Sequence, residues 1–155
     1  MQGLIPVIRN AVRAFIVRDD AVLVQHKVYD DGSERYVLPG GAPHPGETLE
    51  QGLQRECMEE IGSEVEVAEL LYLADFFKPR ETEPPTVRQQ VEFIFRCHIN
   101  ETYVAQNGEH PDKHQKDVVW VNRSEINNKP FFPTGLGEII SENIPDKPVY
   151  LGLIS

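Results

Sequence analysis

Long apolar segments are missing from this sequence, and one of the longest, residues 68–74, is interrupted by Glu69. A helix that crosses a membrane needs about 18 or more consecutive apolar residues. We therefore expect no membrane span and no membrane partner. The first ten residues carry one short apolar patch, residues 3–7, without a small-residue cleavage site, so they do not resemble a secretory signal.

Cysteine is scarce, since Cys57 and Cys97 are the only two in the chain. Both lie in segments with an apolar pattern, where a buried free thiol is more frequent than a disulfide. The sequence therefore predicts two free thiols and a cytoplasmic protein.

Positive charge is in deficit, because 15 Lys and Arg residues stand against 25 Asp and Glu, which gives a net charge of −10. Proteins that follow a nucleic-acid backbone present a broad basic face. The charge balance argues against a nucleic acid polymer as partner. A small phosphate-bearing partner needs some attraction other than net charge.

The length of 155 residues, with 40% apolar and 26% charged residues, is typical of one compact domain. No internal repeat or low-complexity linker divides the chain, so we predict a single domain over residues 1–155. Alternating apolar residues predict strands. The predicted strands span residues 12–24 (as a hairpin), 36–38, 64–73, 91–99, 117–121 and 150–153. Loops are predicted at residues 39–46, 78–88 and 107–116, and a last helix at residues 135–143.

A helix is predicted after the first of these loops. Thr48 and Gln51 have the spacing of a capping box, in which each side chain bonds the backbone of the other residue. Apolar residues then recur every four positions from Leu49 to Ile61, and Gly62 ends the helix. Strands around one central helix predict an α/β sandwich with a mixed sheet.

Three acids of this helix, Glu56, Glu59 and Glu60, share one side because residues three and four apart are neighbours on a helix. Like charges at that spacing repel, so a cation is expected to offset them. An all-oxygen set of ligands suits Mg²⁺ or Mn²⁺. A solvated acidic face is the alternative interpretation of these three residues by themselves.

The surrounding pattern favours the metal. The segment 41–63 resembles the motif of the Nudix hydrolase (MutT-like) family, G-x5-E-x7-R-E-U-x-E-E-x-G-U, in which U is a bulky aliphatic residue. All seven fixed positions are present: Gly41, Glu47, Arg55, Glu56, Glu59, Glu60 and Gly62. Cys57 and Ser63 depart from the two aliphatic positions, and Gly52 stands where the family often has Ala. Small size at Gly52 either leaves room for a metal-bound substrate or is a tolerated helix glycine.

The resemblance implies the Nudix-type α/β/α sandwich with a mixed β-sheet, and it implies roles for residues. Glu56, Glu59, Glu60 and the backbone carbonyl of Gly40 would bind Mg²⁺ or Mn²⁺. Arg55 and Glu47 would form an ion pair that orients the glutamates without contacting substrate. The implied catalytic residues are therefore Glu56, Glu59, Arg55 and Glu47. The general base stays open among Glu56, Glu59, Glu109, Asp112 and Asp117.

The resemblance also implies metal-dependent hydrolysis of the diphosphate bond of a nucleoside diphosphate linked to another group. ADP-ribose or a similar nucleotide sugar is the leading candidate substrate, because Pro79 lies sixteen residues beyond Ser63 and a proline near this spacing marks the ADP-ribose pyrophosphatase branch. The alternative interpretation of Pro79 is that it only starts a loop. Candidate substrate contacts are Arg13, Phe77 and Arg80, with Phe76, Lys27, Lys78 and Arg88 as further choices.

Two other functions are weighed against this one. The first is hydrolysis of nucleoside triphosphates to monophosphate and pyrophosphate. The second is a non-catalytic Nudix sensor domain, which the intact motif argues against. Homodimers are common in the family, so a homodimer is a further expectation.

Overall fold

The computed structural model describes all 155 residues. It contains nine strands, two α-helices and a 3-10 segment, Arg123–Asn128, before the second helix. The strands are β1 (Leu4–Phe15), β2 (Val17–Arg18), β3 (Ala21–Val28), β4 (Glu34–Val37), β5 (Gly40–Gly41), β6 (Val65–Arg80), β7 (Thr86–Ile99), β8 (Gln115–Asn122) and β9 (Val149–Ile154). The helices are α1 (Leu49–Ile61) and α2 (Thr134–Ser141), and neither has the length and apolar character needed to cross a membrane.

Two sheets form the framework. The first has the strand order β5-β1-β7-β6-β9 and is mixed, since β1 pairs with β7 and β6 with β9 in parallel, whereas the other pairs are antiparallel. In the second sheet, β3 pairs antiparallel with β2, β4 and β8. This architecture confirms the predicted α/β fold with a mixed sheet.

Apolar residues fill two clusters on opposite faces of the five-stranded sheet. Val12 and Ala14 of β1 belong to the cluster that contains α1, whereas Phe15 belongs to the one that contains α2. Successive side chains of a strand point to opposite faces. The two helices therefore cover opposite sides of the sheet, as in the predicted sandwich.

The local signals around α1 are confirmed. Thr48 Oγ1 accepts the Gln51 N–H at 3.1 Å, and the Gln51 side-chain oxygen accepts the Thr48 N–H at 2.9 Å. Gly62 follows the helix with φ 69°, in the left-handed region that glycine adopts without strain.

The last turn of α1 is also capped from outside the helix. The carbonyl oxygens of Glu59, Glu60 and Ile61 each accept a hydrogen bond from the long loop between β7 and β8. Their donors are the backbone N–H groups of His110 and Gly108 and the hydroxyl of Tyr103, in the same order. This loop therefore fixes the turn that carries two of the three glutamates.

Several strands are longer than predicted. β1 begins at Leu4 and not at residue 12, and β6 and β7 leave only residues 81–85 as the loop predicted over 78–88. β9 pairs with β6 only as far as Phe76, so beyond it β6 is an edge strand, where Pro79 is tolerated. The predicted loop 39–46 contains the short strand β5.

Both cysteines are buried and free, as predicted. Burial raises the pKa of the Cys97 thiol to about 12 and also raises the pKa of Cys57. Neither thiol is therefore ionised near neutral pH.

Candidate active site

A cleft opens over the face of the first sheet that α2 also covers. Side chains from β1, β6 and β7 form its floor, β5 and α1 form one wall, and residues of β3, β4 and the segment before α2 form the other wall. Two of the predicted metal-binding acids, Glu56 and Glu60, line this cleft together with Gly40 and Gly41.

Glu60 is the most buried of the three acids, with 3% of its surface exposed. Its Oε1 accepts the backbone N–H of Gly40 at 2.9 Å, which ties α1 to β5. Burial and the nearby Glu56 carboxylate raise the pKa of Glu60 to about 8. Burial also raises the pKa of Glu56, although Arg55 opposes the shift. These two carboxylates need a positive partner to be ionised together at neutral pH.

Arg55 connects the helix to the preceding loop. Its guanidinium donates to both oxygens of Glu47 at 2.8 and 3.0 Å and to the carbonyl of Ala42 at 3.1 Å. It also donates to Glu56 at 3.1 Å and to Glu59 at 3.3 Å. The Arg55 hydrogen bonds lower the pKa of Glu47 to about 2. The ion pair expected between Arg55 and Glu47 is therefore present.

Both positions of β5 are glycine, and the backbone requires glycine at Gly40. A Cβ on Gly40, where φ is 143°, would lie 1.9 Å from the carbonyl oxygen of Val12. A Cβ on Gly41 would lie 2.7 Å from Oε1 of Glu56, in the space beside that carboxylate. The absence of side chains thus lets the loop backbone approach both β1 and Glu56.

The donor set suits a hard divalent cation, because the carboxylates of Glu56 and Glu60 and the backbone of Gly40 line the same cleft. In the structure, no three His, Cys, Asp or Glu side chains are yet arranged around one point. Arg55 bonds both Glu56 and Glu59, and Glu60 bonds the Gly40 N–H. An ion would therefore have to replace part of the contact of Arg55 with Glu56 or Glu59.

Arg13, a predicted substrate contact, lies in the cleft. Its guanidinium donates to Glu92 at 3.2 Å and to the Gly40 carbonyl at 3.1 Å, which is the predicted metal-binding carbonyl. Glu92 is 3% exposed and Gln90 beside it is 2% exposed. The sequence interpretation missed both residues. The sequence pattern that could have revealed them is alternation along β7, because Gln90 and Glu92 alternate with apolar residues and therefore share a face with Ile94.

The outer wall of the cleft is aromatic. The guanidinium of Arg35 lies 4.1 Å from the ring centre of Phe132 and 4.9 Å from that of Tyr29. Phe132 also meets Phe76 edge-on, with their ring centres 5.4 Å apart. No local pattern links β4 to the segment before α2, so the sequence interpretation did not bring these residues together.

Two predicted substrate contacts lie elsewhere. Phe77 is outside the cleft, because strand alternation turns its neighbours Phe76 and Lys78 toward the cleft instead. Arg80 lines an adjacent groove and not the cleft itself. Pro79 is an exposed residue within β6 and does not start a loop. Of the two phenylalanines considered from the sequence, Phe76 therefore lines the cleft and Phe77 does not.

The acids considered as the general base differ in whether they reach the cleft. Asp112 lines the cleft, where Lys27 Nζ lies 2.6 Å from its Oδ2. Burial opposes ionisation of Asp112, but Lys27 outweighs that effect and the pKa is lowered. Glu109 lies on the capping loop outside the cleft, and Asp117 bonds Nδ1 of His26 at 2.9 Å. Of the three acids beyond the helix, only Asp112 thus has access to the cleft.

Gly52 has a packing role that neither earlier interpretation includes. A Cβ at this position would lie 3.1 Å from Cα of Pro43, so the small residue lets the loop before α1 rest on the helix. The space is occupied by protein, and the idea that Gly52 leaves room for substrate is wrong.

Comparisons with known proteins find related sequences and structures. A family model described as the NUDIX domain matches residues 7–142. The chain is 30% identical over 125 residues to "Nucleoside triphosphatase NudI" of Enterobacter sp. (strain 638), an alignment that covers 77% of this chain and 85% of that protein.

Solved structures share the fold. A MutT protein from Bacillus halodurans superposes with a TM-score of 0.69 at 22% identity, over 92% of this chain and 86% of that one. An ADP-ribose pyrophosphatase from Streptococcus suis 89-1591 superposes with a TM-score of 0.62 at 16% identity, over 92% of this chain and 98% of that one.

Proposed function

The chain belongs to the Nudix hydrolase family, and from that premise we propose that it hydrolyses the diphosphate bond of a nucleoside diphosphate linked to another group. ADP-ribose or a similar nucleotide sugar is the leading substrate class. The observation that carries the proposal is the cleft itself, in which Glu56 and Glu60 of α1 face the cations of β1 and β6 and an aromatic wall.

Glu56, Glu59, Glu60 and the carbonyl of Gly40 are the proposed ligands of Mg²⁺ or Mn²⁺. Such an ion, when bound, supplies positive charge to the diphosphate and lowers the pKa of a bound water. Arg55 and Glu47 act on the carboxylates, because the bidentate pair between them fixes the guanidinium that orients Glu56 and Glu59. The proton of the attacking water passes to Glu56, Glu59 or Asp112.

The remaining lining suits a nucleoside. Phe76 and Phe132 offer ring faces and edges on which a base can pack, and Arg13 offers a guanidinium next to the carboxylates. Gln90 lies at the floor of the cleft and carries both a donor and an acceptor.

A second candidate is hydrolysis of nucleoside triphosphates to monophosphate and pyrophosphate. The relative described as a nucleoside triphosphatase favours it, since it aligns over most of both chains. A non-catalytic sensor domain is disfavoured, because every acid of the motif is present and Arg55 contacts Glu47, Glu56 and Glu59.

The test is a substrate panel. The protein is assayed with nucleotide sugars, dinucleotides and nucleoside triphosphates, with Mg²⁺ or Mn²⁺, and phosphate-containing products are quantified. We expect turnover that requires the metal. Glu59→Gln and Glu60→Gln should each lower kcat by about 100-fold or more.

A matched control is Glu50→Gln, which removes an exposed carboxylate from the first turn of the same helix. This variant should keep wild-type turnover, and far-UV circular dichroism should confirm that all three variants fold. Full activity in both Glu59→Gln and Glu60→Gln would exclude the proposed metal site.

We also propose a cellular location and an oligomeric state. The protein is expected in the cytoplasm, and it is expected to form a homodimer. Sedimentation velocity at several concentrations tests the second, because a concentration-independent monomer contradicts it.

A further inference from the structure

Four cationic side chains form a cluster without acidic partners on the first sheet. They are Arg9 of β1, Lys78 and Arg80 of β6, and Arg88 of β7. None of them forms a salt bridge, whereas the neighbouring Arg13 and Lys27 are paired with Glu92 and Asp112. We call these four residues the unpaired cation cluster.

Strand register places the members of this cluster side by side. Lys78 pairs directly with Arg88 across β6 and β7, and Arg9 pairs with Gln90, two residues further along β7. Like charges directly opposite each other on neighbouring strands destabilise a sheet. The arrangement therefore costs stability unless an anion occupies the space between the side chains.

Burial increases this cost. Burial first, and then the charges of Arg13, Lys27, Arg9 and Arg88, lower the pKa of Lys78 to about 8. The pKa of Arg9 and the pKa of Arg88 are also lowered, in both cases by burial first. A chain with a net charge of −10 has many carboxylates, yet none of them forms a salt bridge with these four residues, and Glu56 and Glu92 act on Arg9 only at longer range.

The cluster starts in the cleft and leads out of it. Lys78 and Arg9 line the cleft together with Glu56. Arg9 also lines the adjacent groove, together with Arg80 and Arg88, which do not line the cleft. Arg9 thus stands at the boundary between the two spaces.

A diphosphate bound at the acids of α1 would leave the groove side of the cluster unpaired. We propose that Arg9, Lys78 and Arg88 form an anion subsite for a phosphate group beyond the two that flank the cleaved bond. This inference rests on the proposed function. Arginine side chains bind two phosphate oxygens at once, and a lysine ammonium adds a point charge.

Two kinds of substrate carry such a group. One is a nucleoside triphosphate, through its third phosphate. The other is a nucleotide sugar that bears a phosphate ester on its sugar. Both present a phosphate group a short distance from the cleaved bond, so the experiment has to separate them.

Binding is measured first, independently of catalysis. Inorganic triphosphate is titrated into the folded, full-length protein by isothermal calorimetry. We expect Arg88→Gln and Lys78→Gln each to weaken binding about tenfold to hundredfold, as for the loss of a hydrogen bond between charged groups. Arg88→Lys, which keeps the charge but loses the bidentate geometry, should bind more tightly than Arg88→Gln and less tightly than the wild type.

The control is Arg96→Gln, which removes one positive charge from the same strand at a site paired with the exposed Glu69. This control should bind inorganic triphosphate as the wild type does. The subsite is ruled out if Arg88→Gln and Lys78→Gln bind as tightly as the wild type, or if Arg96→Gln weakens binding equally.

Turnover then identifies the source of the phosphate. The ratio of kcat/KM for a nucleoside triphosphate, or for the phosphorylated nucleotide sugar, to kcat/KM for the plain nucleotide sugar is compared between wild type and Arg88→Gln. We expect the ratio to fall about tenfold to hundredfold for the true substrate class. An equal loss on all three substrates overturns the inference. If the wild type hydrolyses none of them, the proposed function fails, whereas the calorimetry still decides the subsite.

Discussion

Lys78 is a cation whose surroundings oppose its charge. Its pKa is lowered to about 8 from an ordinary value of 10.5, by burial first and then by the neighbouring cations. The unfolded chain keeps this proton up to pH 10.5, so between pH 8 and pH 10.5 the unfolded state binds more protons than the folded state. Stability therefore rises with pH in that window, and the penalty is fully present below pH 8.

Replacing Lys78 removes this penalty. We expect Lys78→Met to raise the free energy of unfolding by about 1 to 3 kcal/mol at pH 7. The advantage should shrink as the pH rises from 8 to 10.5. Urea unfolding at pH 7 and at pH 9.5 measures both effects. Lys116→Met, at an exposed position of β8, is the control, and it should change stability by no more than about 0.5 kcal/mol.

A lower stability of Lys78→Met at pH 7 would contradict the account. The same holds if the difference between variant and wild type did not change with pH, because a packing gain from the methionine side chain does not titrate.

Contacts near α1 were expected from the sequence through the family motif, and contacts on the sheet were not. The ion pair of Glu47 with Arg55 was implied by that resemblance, and the structure contains it. The position of Phe76 in the cleft depends on which face of β6 is inward. Two register shifts, between Val67 and Leu70 and between Leu70 and Tyr72, decide that, and alternation in the sequence does not reveal them.

Secondary-structure elements were likewise predictable where the signals are local in the chain, and not where tertiary contacts decide. The start of α1 was predictable, because its capping box is local in the chain. At its other end Gly62 was predictable, but the hydrogen bonds from outside the helix were not, since their donors come from a loop that begins nearly forty residues later. β6 and β7 were predicted too short, because Pro79 and the charged residues around it also suit a loop. Only the pairing of β6 with β7 extends both strands.

Gly108 is the residue through which the capping loop approaches α1. A Cβ at this position would lie 2.3 Å from the carbonyl oxygen of Glu59 and 2.8 Å from that of Met58. We expect Gly108→Ala to lower the free energy of unfolding by about 1 to 3 kcal/mol, as for an overpacked core position. It should also lower turnover, because the turn that carries Glu59 and Glu60 has to move.

Gly135→Ala is the matched control for that variant. In α2 the new Cβ would meet no atom closer than 3.9 Å, and the backbone is already helical. Stability should therefore stay the same or rise by up to about 1 kcal/mol. Chemical denaturation of both variants makes the comparison, and an equal effect of the two substitutions would show that close approach at Gly108 is unimportant.

On the scale of the whole molecule, the net charge is negative although one part of the surface carries a cluster of cations. The balance of −10 argues against a nucleic acid polymer, and that expectation concerns the entire surface. Arg9 and Arg88 are far apart in the sequence, and only the parallel pairing of β1 with β7 brings their positions together. The cation cluster was therefore invisible in the composition, although Lys78, Arg80 and Arg88 were named as separate candidates.

The two apolar clusters are joined through shared strands. Leu23 of β3 belongs to the first cluster and Val22 to the second, and β1 and β7 divide their residues in the same way. Loss of one cluster removes packing contacts from every shared strand. We therefore expect residues 1–155 to unfold as one cooperative unit.

Two probes can test this cooperativity. Trp120, the only tryptophan, lies in β8 against the first cluster, so its fluorescence reports on that side of the sheet. Far-UV circular dichroism reports on all strands and helices. Thermal unfolding followed by both signals should give one midpoint. Separate midpoints would show that the two clusters unfold independently.

Thermal unfolding with the same two probes also tests the proposed metal site. Glu60 belongs to the helix that packs in the first cluster and bonds the Gly40 N–H of the sheet. Binding of Mg²⁺ to the folded state alone stabilises by mass action, about 2.7 kcal/mol when the ion is at 100 times its dissociation constant. Both probes should therefore shift together to higher temperature as Mg²⁺ is added, and Glu60→Gln should abolish the shift. A shift that persists in Glu60→Gln would place the ion elsewhere in the molecule.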